Sequence, residues 1–195
     1  QVRKELKNDP DSIDLQLELG RLFIDGAEFD EAIKQLKQVI SRDKKNGLAY
    51  KLLGTAYAMC NHEDEATREL TRASEITPED PEIHMNLGGV FMLQDMYESA
   101  ARCFRKVVEI DPMDRLGYAN LAAAYDVDKK YDEEIQVLKK ILMFAPEDIE
   151  LRSALSTAYF NSENYDEALN HALCVIELDE KDPQAYCNLG SCYSA

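Results

Sequence analysis

The sequence is poor in positive charge, and this shortage limits the partners that the protein can have. Lys and Arg number 22 against 38 Asp and Glu, so the formal net charge is −16. Such an acidic surface repels phosphate backbones and anionic lipid headgroups. We therefore expect neither nucleic acid nor a membrane surface as the main partner, whereas basic or neutral peptides suit the charge. The same acidity would also keep an extended protein dissolved without any role in binding.

The sequence also lacks the segments that direct a chain into or across a membrane. No run of about 18 apolar residues is present, which predicts no membrane-spanning helix and no membrane insertion. No basic segment is followed by an apolar leader, although the chain begins with Gln1 rather than Met. The five cysteines include no CxxC pair. An odd number of unpaired cysteines is typical of reduced thiols in a cytoplasmic protein, which is the location we expect.

Motifs for catalysis and metal binding are missing as well. The segment 62–66 starts like a zinc-protease motif, but no second His follows His62. His171 and Cys174 lie three residues apart and could approach Cys192, but a fourth zinc ligand is not evident. No combination of nucleophile, base and orienting residue can be assembled. We expect no catalytic residue, no metal and no cofactor.

What the chain does have is a 34-residue pattern that repeats without insertion. Leu followed by a small residue recurs at Leu19-Gly20, Leu53-Gly54, Leu87-Gly88, Leu121-Ala122, Leu155-Ser156 and Leu189-Gly190. Three positions after the small residue stand the aromatic residues Phe23, Tyr57, Phe91, Tyr125, Tyr159 and Tyr193. The position 12 residues after the small one holds Ala32, Ala66, Ala100, Glu134 and Ala168. This constant register predicts a repeat architecture.

Each repeat contains two apolar stretches of helical periodicity, each about 12–14 residues long. A short polar break such as residues 128–130 separates them, which favours an antiparallel helical hairpin. We expect the small residue and the recurring Ala where the two helices cross, because a large side chain would hold the backbones apart. Glycine inside a helix costs about 1 kcal/mol relative to Ala, so its recurrence indicates a steric need.

Acidic pairs open the second helix of most repeats, as in Asp30-Glu31 and Asp166-Glu167. Asp caps free backbone N–H groups, and negative charge suits a helix N-terminus. Because the pairs recur in the same register, we interpret them as helix caps rather than as acid–base catalysts.

With these positions identified, the chain resembles the tetratricopeptide repeat (TPR) family over essentially all of its 195 residues. The third repeat carries the family pattern in His84, Leu87, Gly88, Phe91, Ala100, Phe104, Val107 and Pro112. The resemblance implies an all-α fold, a right-handed α-solenoid (superhelix) of antiparallel helix-turn-helix units. Departures from the pattern occur at Lys44 and Glu180 in place of Pro, at Arg152 in a large-residue position, and at Glu134. We expect Glu134 to loosen the fourth hairpin.

The register divides residues 1–195, a single array, into repeats. Residues 1–12 are expected to end a preceding second helix, and 183–195 to form the first helix of a partial sixth repeat. Complete repeats are predicted at 13–46, 47–80, 81–114, 115–148 and 149–182. Neither end resembles the polar cap that a repeat array needs, which suggests a fragment of a longer array or an array that associates end to end.

The resemblance further implies that the first helices line a concave, peptide-binding groove. Its expected residues are those that hairpin packing leaves unused, namely Arg21, Lys51, Thr55, Met59, Met85, Asn86, Gly89, Met92, Ala119, Asn120, Ala123, Asp126, Ser153, Thr157, Phe160 and Asn188.

Asparagines recur at one groove position, at Asn86, Asn120 and Asn188. An amide both donates and accepts hydrogen bonds, so such a row can hold the main chain of a ligand. The row resembles the asparagine ladder of O-linked N-acetylglucosamine transferases, although Glu18, Leu52 and Ala154 interrupt it. Equally, these amides could satisfy groups between neighbouring helices.

Methionines form a second feature of the expected groove, at Met59, Met85 and Met92. Flexible Met side chains can adapt to varied apolar partners, or simply fill gaps between helices. Lys51 and Asn86 match one corner of the carboxylate clamp that holds chaperone C-termini in some family members. Further clamp residues are missing, which disfavours chaperone tails as ligands.

The sequence therefore favours a non-enzymatic interaction scaffold or adaptor that binds a peptide segment of a partner protein. The alternative is the substrate-recruiting region of a larger enzyme, such as a glycosyltransferase of the O-linked N-acetylglucosamine type. A third hypothesis is end-to-end self-association through the apolar ends of the array.

Overall fold

The computed structural model of the chain describes residues 2–6 and 8–194, and all regular secondary structure within those ranges is helical. The helices are α1 (Val2–Glu5), α2 (Ile13–Asp25), α3 (Phe29–Arg42), α4 (Gly47–Met59), α5 (Glu63–Ile76), α6 (Pro81–Leu93), α7 (Tyr97–Ile110), α8 (Arg115–Val127), α9 (Tyr131–Phe144), α10 (Ile149–Asn161), α11 (Tyr165–Leu178) and α12 (Pro183–Ser194). The predicted all-α fold is confirmed. Among the described residues, no helix is both long enough and apolar enough to cross a bilayer.

The chain divides into two compact units, Gln1–Asp111 and Pro112–Ala195. In the first unit, α2 packs on α3, α4 on α5 and α6 on α7, while α3 also packs on α4 and α5 on α6. In the second unit, α8 packs on α9, α10 on α11, and α12 on α11 and α10. Each unit is thus a stack of helical hairpins, as the 34-residue period predicts. The exact repeat boundaries stay a prediction.

The glycines of the first unit lie at close helix crossings. A Cβ atom on Gly88 would lie 2.5 Å from Cε1 of Phe104, and one on Gly54 would lie 2.6 Å from Cγ of Leu70. Because such distances are well below van der Waals contact, any side chain there would push the two helices apart. The close approach explains why these helices tolerate a residue of low helix propensity.

In the second unit, polar residues lie at the equivalent helix crossings. Ser156 is fully buried, and its Oγ donates a 2.8 Å hydrogen bond to the carbonyl oxygen of Ala168 on α11. Glu134 is only 6% exposed, and its Oε2 atom has no hydrogen-bond partner. Burial, together with the negative charge of Asp126, raises the pKa of the Glu134 carboxyl to about 7. Whether this group loosens the fourth hairpin stays a prediction.

Helix capping falls on the first helices, not on the second helices as predicted. The N-cap side chains of α2, α4, α6, α8 and α10 accept hydrogen bonds from backbone N–H groups, through Ser12, Asn46, Asp80, Asp114 and Asp148. The N-cap residues of the second helices α3, α5, α7, α9 and α11 make no such bond. The acidic pairs lie inside the first turn of the second helices. There their negative charge interacts favourably with the positive end of the helix dipole, but they do not serve as N-caps.

Each hairpin turns through one residue with a left-handed backbone. These residues lie 34 positions apart, with φ from 56° to 63°, at Ala27, Asn61, Asp95, Lys129 and Glu163. None of them is glycine, the residue for which this conformation has the lowest energy. The polar breaks in the sequence located these turns but did not reveal their backbone conformation.

Successive repeats are also joined by side chains near the start of four first helices. Each of these side chains bonds to the carbonyl oxygen six residues earlier, in the pairs Gln16–Pro10, His84–Pro78, Arg152–Pro146 and Tyr186–Glu180. The departure at Arg152 from the family pattern therefore preserves a link of the same kind. His84, which the family pattern places at a large packing position, is half-buried and uses a ring nitrogen for this bond.

Candidate functional site

A pocket of about 440 Å³ opens between the first helices α2 and α4 of the first unit. It is lined by Asp14, Leu17, Glu18, Arg21, Ile24, Asp25, Leu48, Lys51, Leu52, Thr55 and Glu82. Of the predicted groove residues, the structure brings Arg21, Lys51 and Thr55 together here. The others lie on other parts of the first helices.

The floor of the pocket is apolar and its rim is charged. Leu17 is buried, Leu52 and Ile24 are partly buried, and Leu48 is 46% exposed. Along α2, the rim residues Asp14, Glu18, Arg21 and Asp25 follow at intervals of three or four residues, which places them on one face of the helix. An exposed leucine beside an open, concave surface is a suitable contact for an apolar side chain of a ligand.

Lys51 does not present a free positive charge to this pocket. Its Nζ atom lies 3.0 Å from Oδ2 of Asp80 and 2.6 Å from Oε2 of Glu82, and its side chain is only 12% exposed. Burial alone would lower the pKa of Lys51, but the hydrogen bonds to Glu82 and Asp80 outweigh it and raise the pKa. A ligand carboxylate would have to displace two protein carboxylates, so the chaperone-tail clamp gains no support from this geometry.

The predicted asparagine row is engaged in bonds between neighbouring first helices. Nδ2 of Asn86 donates to Oγ1 of Thr55 at 3.0 Å, and Nδ2 of Asn188 donates to Oγ1 of Thr157 at 3.4 Å. Both pairs are separated by 31 residues, so the two units repeat one contact. Asn188 is buried, and its Oδ1 accepts a further bond from Gln184. The arrangement matches the alternative in which these amides satisfy groups between helices.

The predicted methionine strip is accessible in the first unit. Met59 is 60% exposed, Met85 and Met92 are half-buried, and Gly89 lies between the latter two with open space above its Cα atom. The spacing of residues 85, 89 and 92 puts them on one face of α6. Met59 belongs to α4, so the structure does not gather all three methionines on one helix face.

The predicted groove residues of the second unit lie on α8, α10 and α12, and those on α8 and α10 differ in exposure. On α8, Ala119, Ala123 and Asp126 are exposed and Asn120 is half-buried. On α10, the exposed residue is Thr157, and the half-buried ones are Ser153 and Phe160.

No group of three or more His, Cys, Asp or Glu side chains in the described part of the chain could hold a metal ion. His171 stacks on Tyr159 with ring centroids 5.6 Å apart, and its Nδ1 atom is buried without a hydrogen bond. Burial, and then the positive charge of Arg152, lowers the pKa of this imidazole. Burial raises the pKa of the Cys103 thiol to about 11, which makes it a poor nucleophile.

Comparison with known proteins decides the family. A tetratricopeptide repeat profile matches residues 24–85, and a second one matches residues 81–113. The chain is a tetratricopeptide repeat protein. A search of curated proteins gave no significant match.

Solved TPR structures resemble this TPR protein over most of its length. YrrB, described as a TPR protein with an unusual peptide-binding site, matches with a TM-score of 0.80 at 16% identity and covers 95% of this chain and 96% of its own. MamA 41-end from Desulfovibrio magneticus RS-1 matches with a TM-score of 0.72 at 21% identity, covering 89% and 98%. MamA AMB-1 matches with a TM-score of 0.74 at 25% identity, covering 87% and 92%. These likenesses support the fold of this TPR protein.

Sequence reasoning missed part of the pocket. Asp14, Asp25, Leu48 and Glu82 line it without having been predicted as groove residues. The spacing of Asp14, Glu18, Arg21 and Asp25 along one helix face was a signal that could have identified the α2 side. No signal of that kind predicts that Glu82, from α6, would reach the same pocket.

Proposed function

We propose that this TPR protein is a non-enzymatic scaffold or adaptor that holds a peptide segment of a partner protein against its first helices. The observation that carries the proposal is the pocket between α2 and α4, which combines an apolar floor with charged side chains. YrrB, a protein of the same fold, is described as having a peptide-binding site. The five thiols are free in the structure, which supports the cytoplasm as its proposed location.

Each unit has its own proposed binding surface. In the first unit it comprises the pocket and the adjoining face of α6, with Met85, Gly89 and Met92 offering an adaptable apolar contact. In the second unit it comprises the faces of α8 and α10, where small residues leave the backbone accessible. Asn86 retains a carbonyl oxygen, Oδ1, that makes no bond within the described chain and can accept one from a ligand amide.

A peptide-display library tests the proposal with the full chain as bait. Met92→Glu and Leu48→Glu each place a charge on a proposed contact, and we expect each to weaken selected peptides by at least about tenfold. Asn86→Ala and Asn120→Ala should weaken binding less. The amide of Asn86 already donates a hydrogen bond to Thr55, so it offers a ligand fewer bonds. Met143→Glu is the matched control, since Met143 is 81% exposed on the second helix α9. Unchanged binding in all four first-helix variants would place the site elsewhere.

The alternative, a substrate-recruiting region of a larger glycosyltransferase-like enzyme, rests on the common register of Asn86, Asn120 and Asn188. The bonds from Asn86 and Asn188 to threonines weaken it, because these amide donors are already used. The full-length gene distinguishes the two proposals, since a recruiting region would be encoded together with a catalytic domain.

End-to-end self-association has its own supporting observation at α12. A Cβ atom on Gly190 would meet no atom within 4 Å, whereas the equivalent glycines of the first unit face a leucine or phenylalanine. Tyr186 and Tyr193 of α12 are 51% and 73% exposed. We propose that a helix of a second copy can cover this face. A molar mass by light scattering that stays monomeric at high concentration would exclude it.

A further inference from the structure

We infer that the pocket between α2 and α4 selects a peptide segment in which an apolar side chain is flanked by Lys or Arg. The inference rests on the proposed function and specifies the chemistry of its ligand. It derives from the charges around the pocket, from their spacing along α2, and from the apolar floor below them.

The charges at the rim are predominantly negative. Asp14, Glu18 and Asp25 of α2 and Glu82 of α6 contribute four carboxylates, against Arg21 and Lys51. Lys51 is already compensated by two carboxylates, since Asp80 also lies 3.0 Å from its ammonium group. No ion pair within 4.0 Å ties Asp14, Glu18 or Asp25 to another described residue. These three side chains can therefore pair with cations of a ligand.

The spacing of the carboxylates matches a short extended peptide. Asp14 and Asp25 are 11 residues apart on α2, which corresponds to about 16 Å at a rise of about 1.5 Å per residue. An extended chain covers that distance with about five residues, at about 3.3 Å each. Two cationic side chains separated by a few residues can thus reach both ends of the acidic row. Between those ends, Arg21 can donate hydrogen bonds to main-chain carbonyl groups of the ligand.

The apolar floor of the pocket favours an apolar side chain in the middle of the peptide. Leu17, Ile24, Leu48 and Leu52 form its apolar part, directly beside the acidic row. An apolar side chain seated there removes its own surface and that of Leu48 from water, which is favourable. An acidic peptide would instead bring its charge against the carboxylates of Asp14, Glu18 and Asp25. Electrostatic complementarity of this kind determines specificity more than affinity.

Fluorescence anisotropy with three labelled peptides tests this class of ligand on the unaltered full chain. The first probe carries Lys-Lys-Leu-Lys-Lys between Gly-Ser flanks, the second replaces every Lys by Glu, and the third replaces Leu by Ser. We expect the first to bind at least about tenfold more tightly than either of the others. Its binding should weaken as salt rises from about 0.05 to about 0.5 M, because ions screen the rim charges. Tighter binding of the Glu probe would overturn the inference.

A pair of double variants separates the pocket from the overall acidity of the protein. Glu18→Lys with Asp25→Lys reverses the rim and should weaken the Lys-Leu probe by at least about tenfold. Glu109→Lys with Glu177→Lys makes the same change in net charge at exposed positions on second helices, and should change binding less than about threefold. An equal loss in both double variants would overturn the assignment to the pocket.

The outcomes also separate this inference from the proposed function. If the display library yields peptides that bind the first helices but are not cationic, the ligand class is wrong while the scaffold function stands. If neither the library nor the three probes bind, the proposed function fails together with the inference. The comparison of Lys and Glu probes on the unaltered protein does not depend on the folding of any variant.

Discussion

The two compact units have different side chains at equivalent helix crossings. In the first unit, Gly20, Gly54 and Gly88 leave room for Leu36, Leu70 and Phe104, and the crossings are apolar throughout. In the second unit, buried Ser156 and Glu134 bring hydrogen-bonding groups into equivalent crossings. The serine has a partner for its hydroxyl, whereas Oε2 of the glutamate has none. The difference teaches that a constant repeat length does not imply constant stability, because an unsatisfied buried polar group costs about 1–3 kcal/mol.

The largest effect should come from filling a crossing of the first unit. Gly88→Ala would place Cβ 2.5 Å from Cε1 of the buried Phe104, so we expect a loss of about 2–3 kcal/mol in the free energy of unfolding. Gly190→Ala is the matched substitution in the second unit, where open space should allow a gain of up to about 1 kcal/mol. Urea unfolding followed by circular dichroism measures both. Equal effects would show that the crossing in the first unit is not sterically limited.

Removing the buried carboxylate should make the second unit more like the first. At pH 8 the Glu134 carboxyl, whose pKa of about 7 lies above the ordinary 4.5, is ionised in a buried site. We therefore expect Glu134→Ala to stabilise the protein at pH 8 by about 2–3 kcal/mol, since one pKa unit corresponds to about 1.4 kcal/mol.

The pH dependence of this variant has a definite sign. Between pH 4.5 and about 7 the folded protein binds the Glu134 proton more tightly than the unfolded chain does. The wild type should therefore lose stability relative to Glu134→Ala as the pH rises through this window, and the difference should be small below it. Glu133→Ala, at the exposed neighbouring position, serves as the control. Parallel stability curves of wild type and Glu134→Ala would contradict the prediction.

Removing the hydrogen-bonded Ser156 hydroxyl should change the free energy of unfolding less than removing the Glu134 carboxylate. Ser156→Ala removes the 2.8 Å bond to the Ala168 carbonyl and should cost about 1 kcal/mol or less, because Ala also favours the helix. Ser153→Ala on the same helix is the control, since that side chain is only half-buried. Thermal unfolding at one pH compares them. A loss much above that of a single hydrogen bond would indicate that the crossing has collapsed.

The smallest change in the free energy of unfolding is expected for substitutions in the hairpin turns, where both units have a residue with a left-handed backbone. Lys129→Gly in the second unit and Ala27→Gly in the first should each stabilise by about 0.5–1 kcal/mol, because φ values of 58° and 57° strain a residue with a side chain. Asn61→Gly should be close to neutral, since Asn tolerates this conformation. Chemical denaturation of the three variants measures the differences. Destabilisation at Lys129 or Ala27 would mean that the side chain makes a contact more favourable than the relief of backbone strain.

Part of the fold and of the candidate site followed from sequence because it depends on local spacing. The helices, their crossings and the small residues there were predicted from the 34-residue register. The cap positions were predicted wrongly, because Asp at the start of a helical stretch does not distinguish an N-cap from the first turn. Glu163 has a left-handed backbone conformation, which its residue type does not predict because glutamate has no preference for it.

For this protein, the sequence by itself determined where each helix lies and which residues can approach closely, since period and side-chain size are properties of the chain. Only the tertiary structure decided which charges remain available. Lys51 is compensated by carboxylates about 30 residues away, and Asn86 donates to Thr55 of another hairpin. Such pairs depend on how hairpins stack, because the distance between residues on different helices is set by packing and not by their separation along the chain.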